Sequence, residues 1–201
     1  MREVIRQRLR QSAPAVDPSA AAIGALPAAL AARLDQQRLA PAAVLVPLID
    51  RPAGLQLLLT RRTEHLRDHA GQISFPGGRV ETLDTSPLDT ALREAGEEVG
   101  MPREQVEVVG YLPPHAVVTG FVINPVVGIV GGEPTLRADP SEVAEIFEAP
   151  LAFFLDPANR LDGQRTWHGV SFAVPEFQVG EHRVWGATAQ IINTLIQVID
   201  N

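Results

Sequence analysis

Cysteine is absent from the 201 residues, which removes disulfides, thiolate nucleophiles and thiolate-bound zinc from the available chemistry. A reducing cytoplasm fits such a chain. No stretch reaches the ~18 consecutive apolar residues of a membrane-spanning helix. The Arg-rich start, Met1 to Arg10, lacks the apolar core of a secretory signal. Positive charge is in deficit as well: 17 basic against 24 acidic side chains leave a net charge of −7. That balance argues against broad binding of nucleic acid or of an anionic membrane and leaves room for a local basic pocket. No internal repeat is visible. The remainder, 45% hydrophobic and 20% charged, is ordinary for a globular chain of one domain with a short terminal appendage.

Residues 1–10 read as a short surface helix and residues 11–25 as an Ala/Pro/Ser-rich connector. Ala28 to Gln37 has helical composition, so residues 1–39 form an expected helical segment and linker ahead of a functional domain over 40–201. The apolar runs Ala42 to Ile49 and Leu55 to Thr60, around Asp50-Arg51-Pro52, predict two paired, buried strands. A polar, cation-rich stretch follows, in which Arg62 and Arg67 can clamp phosphate or carboxylate groups by forked hydrogen bonds. His65 and His69 are four apart, but no glutamate stands at the catalytic position between them and no third ligand is near, so a zinc site is not expected.

Ile73 to Val80 reads as a short strand broken by Pro76-Gly77-Gly78, whose glycines permit close approach of the backbone to a ligand. Glu81 and Asp84 follow, Thr85-Ser86-Pro87 can cap a helix, and Leu88, Leu92, Ala95 and Val99 set out its apolar stripe. On that helix Glu94, Glu97 and Glu98 share one face, beside Arg93, and Gly100 with Pro102 ends it. Such a cluster is either a solvated acidic face or an all-oxygen site for Mg²⁺ or Mn²⁺, which bridge carboxylates and substrate phosphates.

Further on, Val106 to Tyr111 reads as a strand. Val122 to Val130 reads as another, assigned to an edge or bulge because Asn124-Pro125 interrupts it. Glu142 is a further acid able to approach the cluster. Pro150 to Leu155 is a hydrophobic segment suited to the core or to contact with a second copy in a homodimer. Trp167 to Pro175 and Phe177 to Val184 read as two short strands, and Trp185 to Ile199 as a closing helix. Phe121, Trp167 and Phe177 are aromatic candidates for stacking on a base, although core packing explains each of them.

Gly78 and Arg93 through Met101 resemble the ends of the box of the Nudix hydrolases, which cleave nucleoside diphosphates linked to another group. The middle departs: Asp84 stands where glutamate is usual, and one extra residue precedes Arg93. That departure resembles the coenzyme A pyrophosphatase branch. So do Leu58 through Thr63, Arg67, Gly71 and Phe75 through Gly78, with Thr63 in place of the usual Ser or Ala. Leu112-Pro113, Thr119 through Phe121, Pro125 through Gly128 and Trp185 through Ala189 also look like that branch, so the resemblance spans residues 40 to 195.

The resemblance implies an α/β fold, a Nudix-like α/β/α sandwich with a mixed β-sheet. It implies a small nucleotide substrate, coenzyme A or its acyl derivatives, split at the pyrophosphate. Mg²⁺ or Mn²⁺ would sit on Glu94, Glu97 and Glu98, with Arg93 holding a glutamate in place by a salt bridge. Glu97 or Glu142 would orient or deprotonate the attacking water. Gly77 and Gly78 would position phosphate oxygens, and Arg62, Arg67 or His69 would recognise the 3′-phosphate. The alternatives are another Nudix substrate, such as ADP-ribose or a dinucleotide, or a nucleotide-binding regulator that has lost catalysis.

Overall fold

The computed structural model describes residues 1–34, 39–66 and 68–200. Three short helices come first, α1 (Arg2–Leu9), α2 (Pro18–Gly24) and α3 (Ala28–Leu34). The connector expected over 11–25 therefore contains a helix. Asp17 caps it by accepting the Ala20 N–H at 2.9 Å, and Pro18 pre-sets the first turn. Residues 35–37, expected to extend α3, lie outside the described residues. One face of α1 is buried: Ile5 and Leu9 belong to the largest core cluster, while Arg6 forks onto Glu107 at 2.8 and 2.7 Å.

The two apolar runs become β1 (Ala40–Arg51) and β2 (Gly54–Arg62), paired antiparallel from Leu48↔Leu57 to Arg51↔Gly54. Beyond Leu48 they part, and the next segment fills the wedge. β3 (Ile73–Ser74) pairs with β2, and β4 (Gly77–Arg79) pairs with β1. The one broken strand expected over 73–80 is thus two strands with different partners. Pro76 marks the crossing, its carbonyl accepting the Leu45 N–H at 2.9 Å.

Helix α4 (Pro87–Val99) leads to β5 (Val106–Tyr111), β6 (His115–Val117) and β7 (Phe121–Val130). β7 runs parallel to β1 from Ala40↔Phe121 to Ile49↔Val130 and takes β5 and β6 antiparallel on its other side. It is a central strand, which corrects the edge assignment drawn from Asn124-Pro125. The carbonyl of Pro125 accepts the Leu112 N–H at 3.1 Å, and both polar groups of a strand residue point the same way. The missing N–H of Pro125 therefore faces Leu112, just past the end of β5, and that pair keeps one bond of two.

β8 (Val143–Pro150) pairs with the far side of β2 and completes a mixed sheet. After α5 (Leu151–Leu155), strands β9 (Arg160–Trp167), β10 (Val170–Val179) and β11 (His182–Val184) form a second, antiparallel sheet in the order β11-β10-β9, and α6 (Gly186–Asp200) closes the chain. The two strands expected over 167–184 are three. β9 is polar and exposed, so hydrophobic patterning is silent on it.

Alternation along β1 and β2 divides the core. Ala43, Leu45, Ile49 and Leu58 pack under Ala91, Leu92, Ala95 and Val99 of α4. Val46, Leu48, Leu57 and Leu59 pack on the opposite face with Ile5, Ile191, Leu195 and Ile199. Helices on both faces of a mixed sheet make the α/β/α sandwich. Leu151 and Phe154 of the hydrophobic segment are buried in the same core.

Candidate active site

Helix α4 is stopped firmly at both ends. Ser86 Oγ accepts the Asp89 N–H at 3.2 Å, with Pro87 in the first turn. At the other end Gly100 turns left-handed at φ 65°. The last carbonyls go to a loop: Arg137 N–H donates to Val99 O and Asp139 N–H to Glu98 O, both at 2.9 Å. That loop carries the chain on to Glu142, whose carbonyl accepts the Thr63 N–H at 2.9 Å beside the end of β2. Four segments distant in sequence, β2, β4, α4 and the loop before β8, thereby meet.

The helix face that carries Glu94 and Glu98 lies against β4. A side chain at Gly78 would collide with the Glu94 carboxylate, and one at Gly77 with the backbone of Ala43 and Val44. Both glycines are required by close approach. Gly77 N–H donates to Glu98 Oε2 at 3.3 Å. Glu98 is only 4% exposed. Burial pushes its carboxyl up to about 8; Glu94 and Glu142 add to the rise, and the Gly77 N–H and Arg62 oppose it. Burial also raises Glu94, with Arg93 opposing.

Arg93 is bound on every side. Its Nε and Nη2 fork onto Asp84 at 3.1 and 3.0 Å, its Nη1 reaches Glu94 and Glu97 at 2.9 Å each, and its Nη2 also donates to Arg79 O at 3.1 Å. Asp84 further accepts the Thr90 hydroxyl at 2.9 Å and the Glu81 N–H at 2.8 Å. The Arg93 guanidinium holds its carboxyl well below the usual carboxylate range. Asp84, the departure from the box, is therefore the anchor of Arg93. The sequence marked the position but not the contact.

Arg62 stands between Glu98 and Glu142, at 3.8 and 4.0 Å, and its Nε is buried without a partner. Among the candidates for substrate contact, Gly77, Gly78 and Arg62 thus join the carboxylates, whereas His69 lines a separate cleft with Arg79 and Phe121. Arg67 lies outside the described residues. Phe177 is fully buried, and Trp167 packs against the cluster that includes residues of α2 and α3. Phe121 is partly exposed under the Arg79 guanidinium, 4.9 Å from the ring centroid. Arg79 escaped the sequence reading; a cation directly after the glycine pair was its only signal.

The donor set suits a hard divalent cation: carboxylates alone, with Glu98 buried and Glu94 partly buried on one helix face, and burial disfavouring the charged form of each. Among the described residues, however, no three acidic or histidine side chains converge into a closed metal cage. Glu97, its side chain 61% exposed, shares the Arg93 Nη1 group with Glu94.

Residues 39–166 match the NUDIX domain. The chain is 46% identical over 168 residues to an uncharacterized Nudix hydrolase NudL of Pectobacterium atrosepticum, covering 82% of this chain and 85% of that protein. It is 46% identical over 162 residues to the NudL protein of Escherichia coli strain K12, covering 77% and 80%. Among solved structures, a MutT/nudix family protein from Enterococcus faecalis superposes with a TM-score of 0.52 at 20% identity, over 92% of this chain and 73% of that one. A NUDIX hydrolase from Alicyclobacillus acidocaldarius gives 0.50 at 17% identity, over 81% and 93%. These two likenesses concern the fold. No helix among the described residues is long and apolar enough to cross a membrane.

Proposed function

The chain belongs to the Nudix hydrolases, and we propose that it splits the pyrophosphate linkage of coenzyme A or its acyl derivatives into 3′,5′-ADP and 4′-phosphopantetheine. Nudix hydrolases act on nucleoside diphosphate derivatives and need a divalent metal ion; here the proposed ion is Mg²⁺ or Mn²⁺, held by Glu94, Glu97 and Glu98. The observation that supports this substrate is the segment from Leu58 to Gly78. It carries the branch-like pattern, and it runs along β2, β3 and β4 to border the carboxylate cluster.

When bound, the ion neutralises phosphate oxygens and lowers the pKa of a water. Arg93, locked by Asp84, fixes the orientation of Glu94 and Glu97. Gly77 and Gly78 let the backbone of β4 lie directly against β1 and the Glu94 carboxylate, which would bring a phosphate held at the carboxylates next to that backbone. Glu97 and Glu142 are the exposed carboxylates of the group, with side chains 61% and 47% accessible, and one of them takes the proton of the attacking water. Arg62, drawn between Glu98 and Glu142 here, supplies positive charge next to the scissile group. Water adds to one phosphorus, the bridging P–O bond breaks, and the leaving phosphate takes up the charge.

The test is incubation of the purified chain with coenzyme A and Mg²⁺ or Mn²⁺, with products identified by mass. Release of 3′,5′-ADP and phosphopantetheine is expected. ADP-ribose and dinucleotides in the same panel expose the alternative: faster cleavage of either, with coenzyme A untouched, overturns the proposed substrate.

A further inference from the structure

The cleft that Arg79 and His69 line has features the hydrolytic step does not use. Its volume is about 460 Å³, within the ~300–1,000 Å³ typical of small-ligand sites. Arg79, Phe121, His69, Asp68 and Thr119 contribute to its walls. Arg79 lies flat enough over Phe121 for a cation–π contact at 4.9 Å. Among the described residues its guanidinium donates no hydrogen bond and makes no ion pair, while its backbone carbonyl accepts from Arg93. The contrast with its neighbours is sharp, since Arg61, Arg62 and Arg93 all face carboxylates. In a chain of net charge −7, an arginine held on a ring with its N–H fork unspent is an anion receptor.

His69 adds a second polar group. Its backbone sits at φ 59°, in the left-handed region that few non-glycine residues occupy. Gln72 holds it there: the Gln72 N–H donates to His69 O at 3.2 Å, and Gln72 Oε1 meets His69 Nδ1 at 3.0 Å. The Nε2 edge of the ring is left for a ligand. Asp68 shares the cleft and repels a bare anion, yet a carboxylate accepts well from a sugar hydroxyl. Cation, imidazole, hydroxyl and carboxylate together fit a phosphate carried on a ribose better than free phosphate.

We infer that Arg79, His69 and Asp68, on the platform of Phe121, form the subsite that reads a phosphate on the substrate's ribose. This rests on the coenzyme A reading for the identity of that phosphate, its 3′-phosphate, and it moves recognition away from Arg62, which the carboxylates already occupy. Arg79 follows Gly78 directly; the register Ala43↔Gly78 and Ala42↔Arg79 puts the two on opposite faces of β4, so a substrate that reaches both bends round the edge of that strand.

Two measurements test it separately from the substrate itself. Calorimetric titration of wild type with 3′,5′-ADP and with AMP is expected to show tenfold or more preference for the bisphosphate, lost in Arg79→Ala. Arg79 is exposed, so the variant folds. In hydrolysis, the kcat/KM ratio of coenzyme A over its 3′-dephospho form falls at least tenfold in the same variant. Equal wild-type binding of the two nucleotides overturns the subsite, as does a preference or ratio that survives in Arg79→Ala. If coenzyme A is not cleaved but the bisphosphate preference depends on Arg79, the substrate proposal fails and the subsite stands.

Discussion

Two glutamates are buried in this molecule to nearly the same degree, and their surroundings differ in kind. Glu176, in the second sheet, is 7% exposed and met by Arg165 at 2.5 Å and by Arg183 at 2.9 and 2.7 Å. Glu98, on α4, is 4% exposed and has one long N–H contact, an arginine at 3.8 Å and two carboxylates nearby. A glycine makes room in both places: a side chain at Gly163 would collide with Glu176, as one at Gly78 would with Glu94. The packing device is shared, but the charge compensation is not. A carboxylate completed by arginines has a structural role. One left short of positive charge in a cluster of its own kind is a functional-site candidate, and the proposed metal ion would supply the charge it lacks.

Glu98→Gln should give the largest effect. The amide keeps the shape and loses the oxygen proposed to bind the metal, so metal-dependent hydrolysis should fall by a factor of ~10³ or more, about 4 kcal/mol of transition-state stabilisation. Thermal unfolding without metal should be unchanged or slightly later, because a carboxyl that burial disfavours has been neutralised. Turnover within tenfold of wild type would remove Glu98 from the site.

His115 extends the same contrast to a base. Its Nε2 lies 3.3 Å from Thr194 Oγ1, which itself donates to Gln190 O at 3.0 Å, and burial lowers its pKa from 6.5 to about 4. The imidazole is therefore neutral in the folded chain while the unfolded chain protonates near 6.5. Stability is full above that value and declines as pH falls toward 4, by up to about 3 kcal/mol. Urea unfolding of wild type and His115→Asn across pH 4 to 7 isolates this contribution. Parallel pH profiles for the two proteins would sink it.

Much of this was legible in the chain. The period-four stripe, the Ser86-Pro87 start and the Gly100 stop carry α4 without help from elsewhere, because caps and periodicity are local. The same is true of the acids on its face. Residues whose partners are remote were not legible. Asp84 became the anchor of Arg93 only when the loop folded back on the helix, and the strand carrying Pro125 proved central only once β1, β5 and β6 were in place around it. Arg62 was expected to face substrate; its approach to Glu98 and Glu142 depends on three segments meeting. Arg79 gave almost no signal, since whether a cation is paired is a tertiary fact.

The smallest effect belongs to the completed glutamate. Glu176→Gln leaves two arginines beside a neutral amide, but they are not trapped: the side chains of Arg165 and Arg183 are 31% and 56% exposed. Water recovers part of what the pair loses, so the cost should be about 2 kcal/mol, below the ~3–5 kcal/mol of breaking a fully buried pair. Arg165 also retains its contact over the Trp185 ring, 5.0 Å from the centroid, which helps hold β9 near the start of α6. Denaturant unfolding should show the loss while hydrolysis at 25 °C stays at the wild-type rate, since Glu176 lies outside the cluster of α4, β2 and β4. If activity fell as far as in Glu98→Gln with the fold intact, the division between a structural and a cation-seeking glutamate would be wrong, and the second sheet would have to be counted as part of the site.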